Sequence, residues 1–233
     1  MEAFRFKMTY SNLLDVTLQR ARRLNLGETV VNELERAMYD TLVWLAGIYD
    51  LDCFIKLNDA MYLTSTSVET YGLPSDFGRL LHPVKPNASN EPLSGIYAYD
   101  GTSLLPLSYR HPLEWNDFDR TTTGAPSRFT IMGRTLYLNP PPDANGTNAY
   151  RGRGQYIAAV ERFELDDEVL LDHPHVLVSQ TLFRLAGDTP EMPANTLTLL
   201  AREATQDLTA LVNDQARTRQ EYYRRSQVGA GRR

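Results

Sequence analysis

Both ends of the chain carry helical apolar stripes and the middle does not, and this constrains the fold more than any other feature. Near the N-terminus, apolar side chains recur every three or four residues over 11–26 and again over 30–49. That period is typical of one buried face of an α-helix. Ser11 suits the N-cap of the first helix, and Gly27 suits its C-terminal stop. The very short connection predicts an antiparallel helical hairpin.

Two further helices are predicted after residue 170. Asp172 or His173 can cap the first, because Pro174 then lies at an early helical position where its missing N–H does no harm. The last helix is predicted to begin near Asn195 and to extend to about Arg225. Four amphipathic stripes need partners in water. We therefore expect an α+β protein in which residues 1–51 and 166–225 form a four-helix bundle.

Residues 52–165 lose the helical period and are predicted to form an inserted β-rich domain. Two hairpins are expected, one around Asp100-Gly101 and one around Gly133-Arg134, because each turn lies between short runs of strand-forming residues. The pattern predicts a small antiparallel β-sandwich or barrel. Further strands are predicted at Phe54–Leu57, Met61–Thr64, Arg79–His82 and Tyr150–Val160.

The net charge of −5 conceals a strong polarity along the chain. Residues 1–24 have a net charge of +3, and residues 216–233 have +5 from six arginines and one glutamate. The remainder, 25–215, therefore carries −13. We expect residues 226–233 to be a flexible basic tail. The arginines of 217–233 are interpreted as a segment that binds either the nucleic-acid backbone or an acidic groove on a protein, or else as a solvated tail. Tyr222 and Tyr223 favour a protein, because Tyr and Arg are enriched at interface hot spots.

No catalytic centre, metal site or cofactor is predicted. Cys53 is the only cysteine, so the chain can form neither an internal disulfide nor a cysteine-rich zinc site. His173 and His175 lie near several acids, but residues two apart on a helix point in different directions, and a helix start explains the pattern. The run Arg151-Gly152-Arg153-Gly154 lacks the Lys-Ser/Thr of a phosphate loop and is interpreted as the solvated start of a strand. No apolar run is long enough to span a membrane.

Two ordered motifs carry a family resemblance. Tyr71-Gly72-Leu73-Pro74-Ser75-Asp76-Phe77, followed by Arg79-Leu80, resembles a Y-x-L-P-x-D-F signature. Residues 124–129 and 133–142 resemble a G-x-P run followed by G-x-x-L-x-L-x-P-x-P. Together with the order of helices, strands and basic tail, these motifs resemble the phage head-to-tail adaptor proteins related to tail tubular protein A of short-tailed phages. The residues taken as its structural motif are Tyr71, Leu73, Pro74, Asp76, Phe77, Pro140 and Pro142.

The resemblance implies a non-enzymatic virion protein, assembled in the host cytoplasm and located at the connector. Such proteins form a ring, a dodecamer, beneath the portal protein, and they dock the tail nozzle protein. The ring extends the channel through which genomic DNA is ejected, without sequence-specific binding, and involves no membrane. The portal-binding segment would be the C-terminal tail, with Arg217, Arg219, Tyr222, Tyr223, Arg224, Arg225, Arg232 and Arg233.

Two other classes of function stay open at this stage. A nucleic-acid-binding protein could use the basic tail, and its DNA affinity would then fall with salt. A tail-associated hydrolase or carbohydrate-binding module would need convergent carboxylates in a concave site, which the sequence does not locate.

Overall fold

The computed structural model of the protein divides into two compact units. A helical unit comprises residues 1–53 and 160–233, and a β unit comprises residues 54–159. The domain boundaries predicted after residues 51 and 165 stay a prediction. The structure describes residues 8–24, 26, 31–81, 85–86, 92–145, 149–162, 164, 167–169, 171, 173–190 and 192–230, with the backbone alone at 85–86, 92–94, 168 and 217–230.

The helical ends and the strand-rich middle follow the order that hydrophobic periodicity predicted. Two short 3-10 turns, at Asp52–Phe54 and Pro112–Asp117, supplement the regular elements. In chain order these elements are β1 (Met8–Thr9), α1 (Tyr10–Arg23), α2 (Val31–Ile48), β2 (Ile55–Leu63), β3 (Thr70–Gly72), β4 (Phe77–Leu80), β5 (Lys85–Pro86), β6 (Pro92–Tyr99), β7 (Leu104–Tyr109), β8 (Arg128–Met132), β9 (Thr135–Asn139), β10 (Arg151–Ala158), β11 (Glu168–Val169), α3 (His175–Gly187) and α4 (Ala194–Ala230).

The helical unit is organised around α3. This helix contacts α1, α2 and α4, and an unbroken run from Val176 to Leu182 is buried. The stripe of α2 is buried at Leu34, Met38 and Leu42, as its spacing predicted. Burial of such side chains is worth about 1.5–3 kcal/mol each, and holds the unit together. The four-helix bundle geometry itself stays a prediction.

The observed helix ends differ in detail from the predicted ones. The N-cap of α1 is Thr9 and not Ser11, because the Thr9 hydroxyl accepts a hydrogen bond from the backbone N–H of Asn12 (3.4 Å). Strand β1 directly precedes this cap and pairs with β11 in a two-stranded antiparallel ribbon. Helix α4 continues through Ala230, whereas a flexible tail was predicted from residue 226. That flexibility stays a prediction.

The β unit contains one nine-stranded sheet, ordered β2-β10-β6-β7-β8-β9-β3, with β4 also pairing β10 and β5 pairing β6. All of these pairs are antiparallel except β7 with β8. Strand β10 is central, since it pairs β2 along one edge and both β6 and β4 along the other. Among the described strands, the terminal ones, β2 and β3, do not pair with each other, so the predicted sandwich or barrel is not confirmed.

Both predicted hairpins are confirmed. Strands β6 and β7 pair across Asp100–Ser103, and β8 and β9 pair across Gly133, whose φ of +62° needs glycine. The two strands predicted over 54–64 are one continuous strand, β2, that contains an irregularity. The core of the sheet is aromatic and aliphatic, with Tyr62, Ile96, Phe129, Leu138 and Tyr156 all buried.

Candidate assembly surfaces

The C-terminal helix carries most of the residues predicted to bind a portal. The inner stripe of α4 is anchored by Leu200, Ala204 and Leu211, which are buried. The side-chain amide of Gln180 on α3 donates to the Ala204 carbonyl at 2.9 Å. Among the α4 side chains that the structure describes, Gln215 is the last buried one, and its Oε1 accepts a hydrogen bond from the Asp52 N–H at 3.1 Å. The body of the helical unit therefore fixes α4 as far as Gln215.

Charged contacts reinforce this anchoring at two further points. The Arg20 guanidinium on α1 donates to both carboxylate oxygens of Glu203 on α4, at 2.6 and 2.7 Å. The His173 Nε2 lies 2.8 Å from the Asp214 Oδ2. His173 thus contacts α4 but does not cap α3, whose N-cap is Pro174 without a side-chain hydrogen bond, and Asp172 lies outside the described residues. Among the residues the structure describes, no group of three or more His, Cys, Asp or Glu side chains is placed to hold a metal ion.

The backbone of α4 continues from Gln215 to Ala230, so Arg217, Arg219, Tyr222, Tyr223, Arg224 and Arg225 all lie on one helix. Fifteen further helical residues extend about 22 Å at 1.5 Å per residue. The remaining predicted residues, Arg232 and Arg233, lie outside the described part of the chain. The structure therefore places six of the eight predicted residues on one continuous helix.

The first motif forms a turn that is tied to the centre of the sheet. Tyr71 lies in β3, where its hydroxyl donates to the Val68 carbonyl at 2.6 Å and its ring packs 5.4 Å from that of Tyr62. Burial raises the pKa of Tyr71. Leu73 donates its N–H to the Arg134 carbonyl at 3.1 Å, and Phe77 donates to the Pro74 carbonyl at 3.0 Å. These contacts close the turn that the Leu-Pro pair begins.

Asp76 is the polar anchor of this turn. Its Oδ1 accepts a hydrogen bond from the Tyr156 hydroxyl at 2.8 Å, and its Oδ2 pairs with the Lys56 ammonium. Lys56 first, and Tyr156 second, lower the pKa of the Asp76 carboxyl. The Phe77 ring packs 5.2 Å from the Tyr156 ring. The motif thus joins β2, β4 and β10 through the contacts of Asp76 and Phe77.

Arg134 contacts the first motif, although the sequence predicted it only as a turn residue. Its guanidinium donates to the backbone carbonyls of Pro74 and Ser75 at 2.9 and 2.8 Å. Because it follows the turn glycine of the β8–β9 hairpin, it links the two sequence motifs. No local pattern signals this contact, since the partners are 60 and 59 residues away.

The second motif closes the other end of that hairpin. Gly124 donates its N–H to the Pro141 carbonyl at 2.9 Å, and a Cβ at Gly124 would lie 3.3 Å from the Pro140 ring. The Pro142 carbonyl accepts from the Ser67 N–H at 2.8 Å. The prolines therefore pack a loop against the sheet. The structural role of Pro140 and Pro142, like that of the first motif, stays a prediction.

A polar pocket of about 620 Å³ lies within the helical unit. The Tyr39 hydroxyl donates to the Val160 carbonyl at 3.2 Å, and the Arg162 guanidinium lies 5.6 Å from the Tyr39 ring. Burial raises the pKa of Tyr10 to about 12, with Glu35 adding to this shift and Arg162 opposing it. The pocket is lined by two acidic and two basic side chains, so its charge selects no ligand class. Its lining is Tyr10, Asn32, Glu35, Arg36, Tyr39, Leu42, Arg162 and Glu164.

The described contacts of the motif residues lie within the β unit, and four of the six C-terminal arginines lie along one helix. The sequence matches the family model described as SU10 adaptor protein over residues 8–231. The chain therefore belongs to the SU10 adaptor protein family, a family of phage adaptors. A comparison with curated proteins found no match.

Family membership indicates a structural role as a phage head-tail adaptor, in contact with virion components such as portal and tail proteins. The predicted adaptor resemblance is thereby confirmed at the level of the phage adaptor class, while the tail tubular protein A-like subtype stays a prediction. No helix within the described residues is long and apolar enough to cross a membrane.

Proposed function

We propose that this protein forms a ring between the portal and the tail nozzle of a phage, extending the DNA channel and docking the tail. The observation that carries the proposal is the adaptor-family match over residues 8–231. In this proposal the ring is a dodecamer, as the resemblance to tail tubular protein A implies. The helical unit, arranged as a four-helix bundle, makes lateral contacts, and the β unit is a platform for the nozzle.

The C-terminal segment is proposed to be the hook into the portal. The anchoring of α4 at Gln215 supports this role, because the helix backbone continues from that point to Ala230 and includes four of the arginines. Arginine suits bidentate contacts with carboxylates, so the portal surface should be acidic where the hook binds. The predicted contact residues remain Arg217, Arg219, Tyr222, Tyr223, Arg224, Arg225, Arg232 and Arg233.

The acidic part of the chain is proposed to line the channel. Residues 25–215 carry a net charge of −13, and carboxylates in a lumen would repel phosphate and let DNA slide. A ring reconstruction in which arginines line the lumen would refute this part of the proposal.

Electron microscopy of the full chain mixed with portal particles tests the proposed function. The expected result is a ring that shares the portal axis. A chain ending at Ala216 should fail to attach, whereas a chain in which the six arginines of 216–233 are replaced by lysine should keep part of its attachment, because the charge is retained. Absence of a coaxial ring with the full chain would overturn the proposal.

The basic tail also suits the second candidate, a nucleic-acid-binding protein. That candidate requires DNA affinity of the isolated chain that falls steeply with salt and disappears when residues 217–233 are removed. The adaptor proposal expects little DNA affinity from the isolated chain and a loss of portal attachment instead. The two measurements therefore separate the two functions.

A further inference from the structure

The outer face of the sheet around β10 carries an unusual set of side chains. In the Arg151-Gly152-Arg153-Gly154 run, the two glycines face the core and the two arginines face outwards. A Cβ at Gly152 would lie 2.0 Å from the Tyr62 ring, and one at Gly154 would lie 2.6 Å from the Met61 sulfur. Glycine therefore allows the core aromatics to approach the strand, and the same alternation places both arginines on the opposite face.

Strand register aligns one row of residues across four strands of this face. Leu63 on β2 is opposite Arg151 on β10, Arg151 is opposite Tyr99 on β6, and Tyr99 is opposite Leu104 on β7. The two leucines at the ends of the row are 59% and 46% exposed. Leu57, opposite Gln155 and on the same face, is 62% exposed. We call Leu57, Leu63, Tyr99, Leu104, Arg151 and Arg153 the sheet patch.

Contacts within the sheet patch hold its polar groups in place. The Arg153 guanidinium lies 4.5 Å from the Tyr99 ring centroid, and its Nε lies 3.5 Å from the Asp59 carboxylate. The Tyr99 hydroxyl donates to the Gly101 carbonyl at 2.6 Å. Within the described part of the chain, Arg151 has no ion-pair partner and is exposed. The patch thus combines a pre-positioned Tyr–Arg pair, exposed leucines and an exposed cation, Arg151, that pairs with no acid among the described side chains.

The size and composition suit the centre of a protein interface. Four strands at about 4.8 Å spacing and five residues of β10 at about 3.3 Å each give an area of roughly 14 by 13 Å. Tyr and Arg are the residues most enriched at interface hot spots, and a surrounding rim brings a typical interface to about 800 Å² per partner. The exposed leucines disfavour DNA as the occupant, because apolar side chains form no hydrogen bonds or ion pairs with backbone phosphates.

Charge points to a second copy of this chain as the occupant. The β unit, residues 54–159, contains nine acidic and nine basic residues and so has no net charge to attract nucleic acid. In the helical unit, residues 25–53 and 160–215 contain seventeen acidic residues and four basic ones. The acidic residues of these ranges are a source of counter-charge for Arg151, and electrostatic complementarity sets the register of such contacts.

We propose that the sheet patch of one copy docks on the acidic surface of the helical unit of a neighbouring copy, with Arg151 supplying the cation. This inference rests on the proposed ring function and identifies one of its lateral contacts. The contact is heterologous, because one surface meets a different surface of the next copy, and such contacts generate a ring when the rotation between copies closes.

Photo-cross-linking tests the proposal directly. A benzoyl-phenylalanine at position 104 of the full chain is irradiated in a mixture of ¹⁵N-labelled and unlabelled copies with portal particles, and linked peptides are mapped by mass spectrometry. The expected result is a link between position 104 of one copy and residues 25–53 or 160–215 of another. Links to the portal, the nozzle or DNA, links within one copy only, or no link would overturn the proposal.

Variants give the second arm of the test. R151E should lower the yield of the inter-copy link by about tenfold, as removal of one interface ion pair does. The matched control is L113D, since Leu113 is 84% exposed but lies outside the sheet patch, and its yield should change less than about twofold. An unchanged yield in R151E would also contradict the proposal.

The two proposals fail in distinguishable ways. A coaxial ring on the portal without the expected link would refute the sheet-patch contact and leave the adaptor function intact. Absence of a ring with the expected link present at high protein concentration would refute the adaptor function and support the copy-to-copy contact.

Discussion

The Tyr156 hydroxyl donates a hydrogen bond to the Asp76 carboxylate at 2.8 Å, and this contact ties the Leu-Pro turn to the central strand of the sheet. Tyr156 is fully buried, so the acid is held at the edge of the hydrophobic core. Lys56 pairs with the other carboxylate oxygen and provides the charge that keeps Asp76 ionised. A carboxylate such as that of Asp76 can therefore resemble a catalytic or binding residue in the sequence although its contacts in the structure stabilise a turn.

Replacement of Asp76 by Asn should make the protein less stable at neutral pH by about 1 kcal/mol, because Tyr156 can still donate to the amide but Lys56 loses its charged partner. The pKa of Asp76 is lower in the folded state than the usual value of about 3.9 in the unfolded chain. The stabilisation is therefore complete above about pH 5 and is lost as the pH falls through the folded pKa. Urea denaturation from pH 7 to pH 2 measures it.

The control for this prediction is a double-mutant cycle with K56Q. The coupling energy between positions 56 and 76 should be favourable at pH 7 and approach zero at pH 2. An unfolding free energy of D76N that follows the same pH dependence as that of the unchanged protein would show that the ion pair contributes nothing.

Substitution of Gly152 by Ala should destabilise the protein by about 1–3 kcal/mol, because the added Cβ would overlap the buried Tyr62 ring. G72A is the matched control, since nothing lies within 4 Å of a Cβ at that position. Both free energies of unfolding can be measured by guanidinium denaturation. Equal free energies of unfolding for G152A and G72A would contradict this prediction. They would mean that β10 and β2 can move apart to accommodate the added Cβ without loss of stability.

Replacement of Gln215 by Ala should cost about 1 kcal/mol, because the partly buried Asp52 N–H loses the Gln215 Oε1 acceptor. Hydrogen exchange of the Asp52 amide should accelerate in the same variant. Q206A is the control on the same helix, since Gln206 is exposed and its loss should change stability by less than about 0.5 kcal/mol. Unchanged exchange at Asp52 in Q215A would contradict the role of Gln215 as an anchor of α4.

Arg134 to Ala should loosen the Leu-Pro turn without unfolding the sheet. The guanidinium contacts two carbonyls, at Pro74 and Ser75, and these would revert to solvent at a cost of about 1 kcal/mol. Amide exchange of Phe77 should then accelerate, while exchange of Leu107 in the sheet core stays slow. R134K should show a smaller effect, since lysine can still reach one carbonyl but lacks the planar fork.

Local signals in the sequence predicted most of the regular elements. The stripes of α1 to α4 follow from a 3.6-residue period, and the hairpin around Gly133 follows from its turn residues. The Thr9 cap was missed because Ser11 is an equally good capping residue two positions later. Capping propensity alone cannot decide whether the helix begins after Thr9 or after Ser11. In the structure, the pairing of β1 with β11 ends at Thr9, and α1 begins at the next residue.

Non-local contacts account for what the sequence did not predict. Strand β3 has only three residues and depends on its pairing with β9, so periodicity cannot reveal it. The parallel pairing of Ser108 with Arg128 joins strands that no hairpin connects. The sheet patch shows the same limit, since alternation suggests that Arg151 faces outwards, but only strand register places Tyr99 and Leu104 beside it.

The interrupted helical unit has a consequence for synthesis. Arg20 and Glu203 are 183 residues apart, and at about 5–20 residues per second the ribosome needs roughly 10–40 s to make the chain between them. During that interval α1 and α2 have been translated without α3 and α4, and their apolar faces lack their final partners. The β unit, whose 54–159 segment is continuous, can fold while the nascent chain waits. Helices α1 and α2 are therefore the elements that lack their final packing partners for the longest time during synthesis.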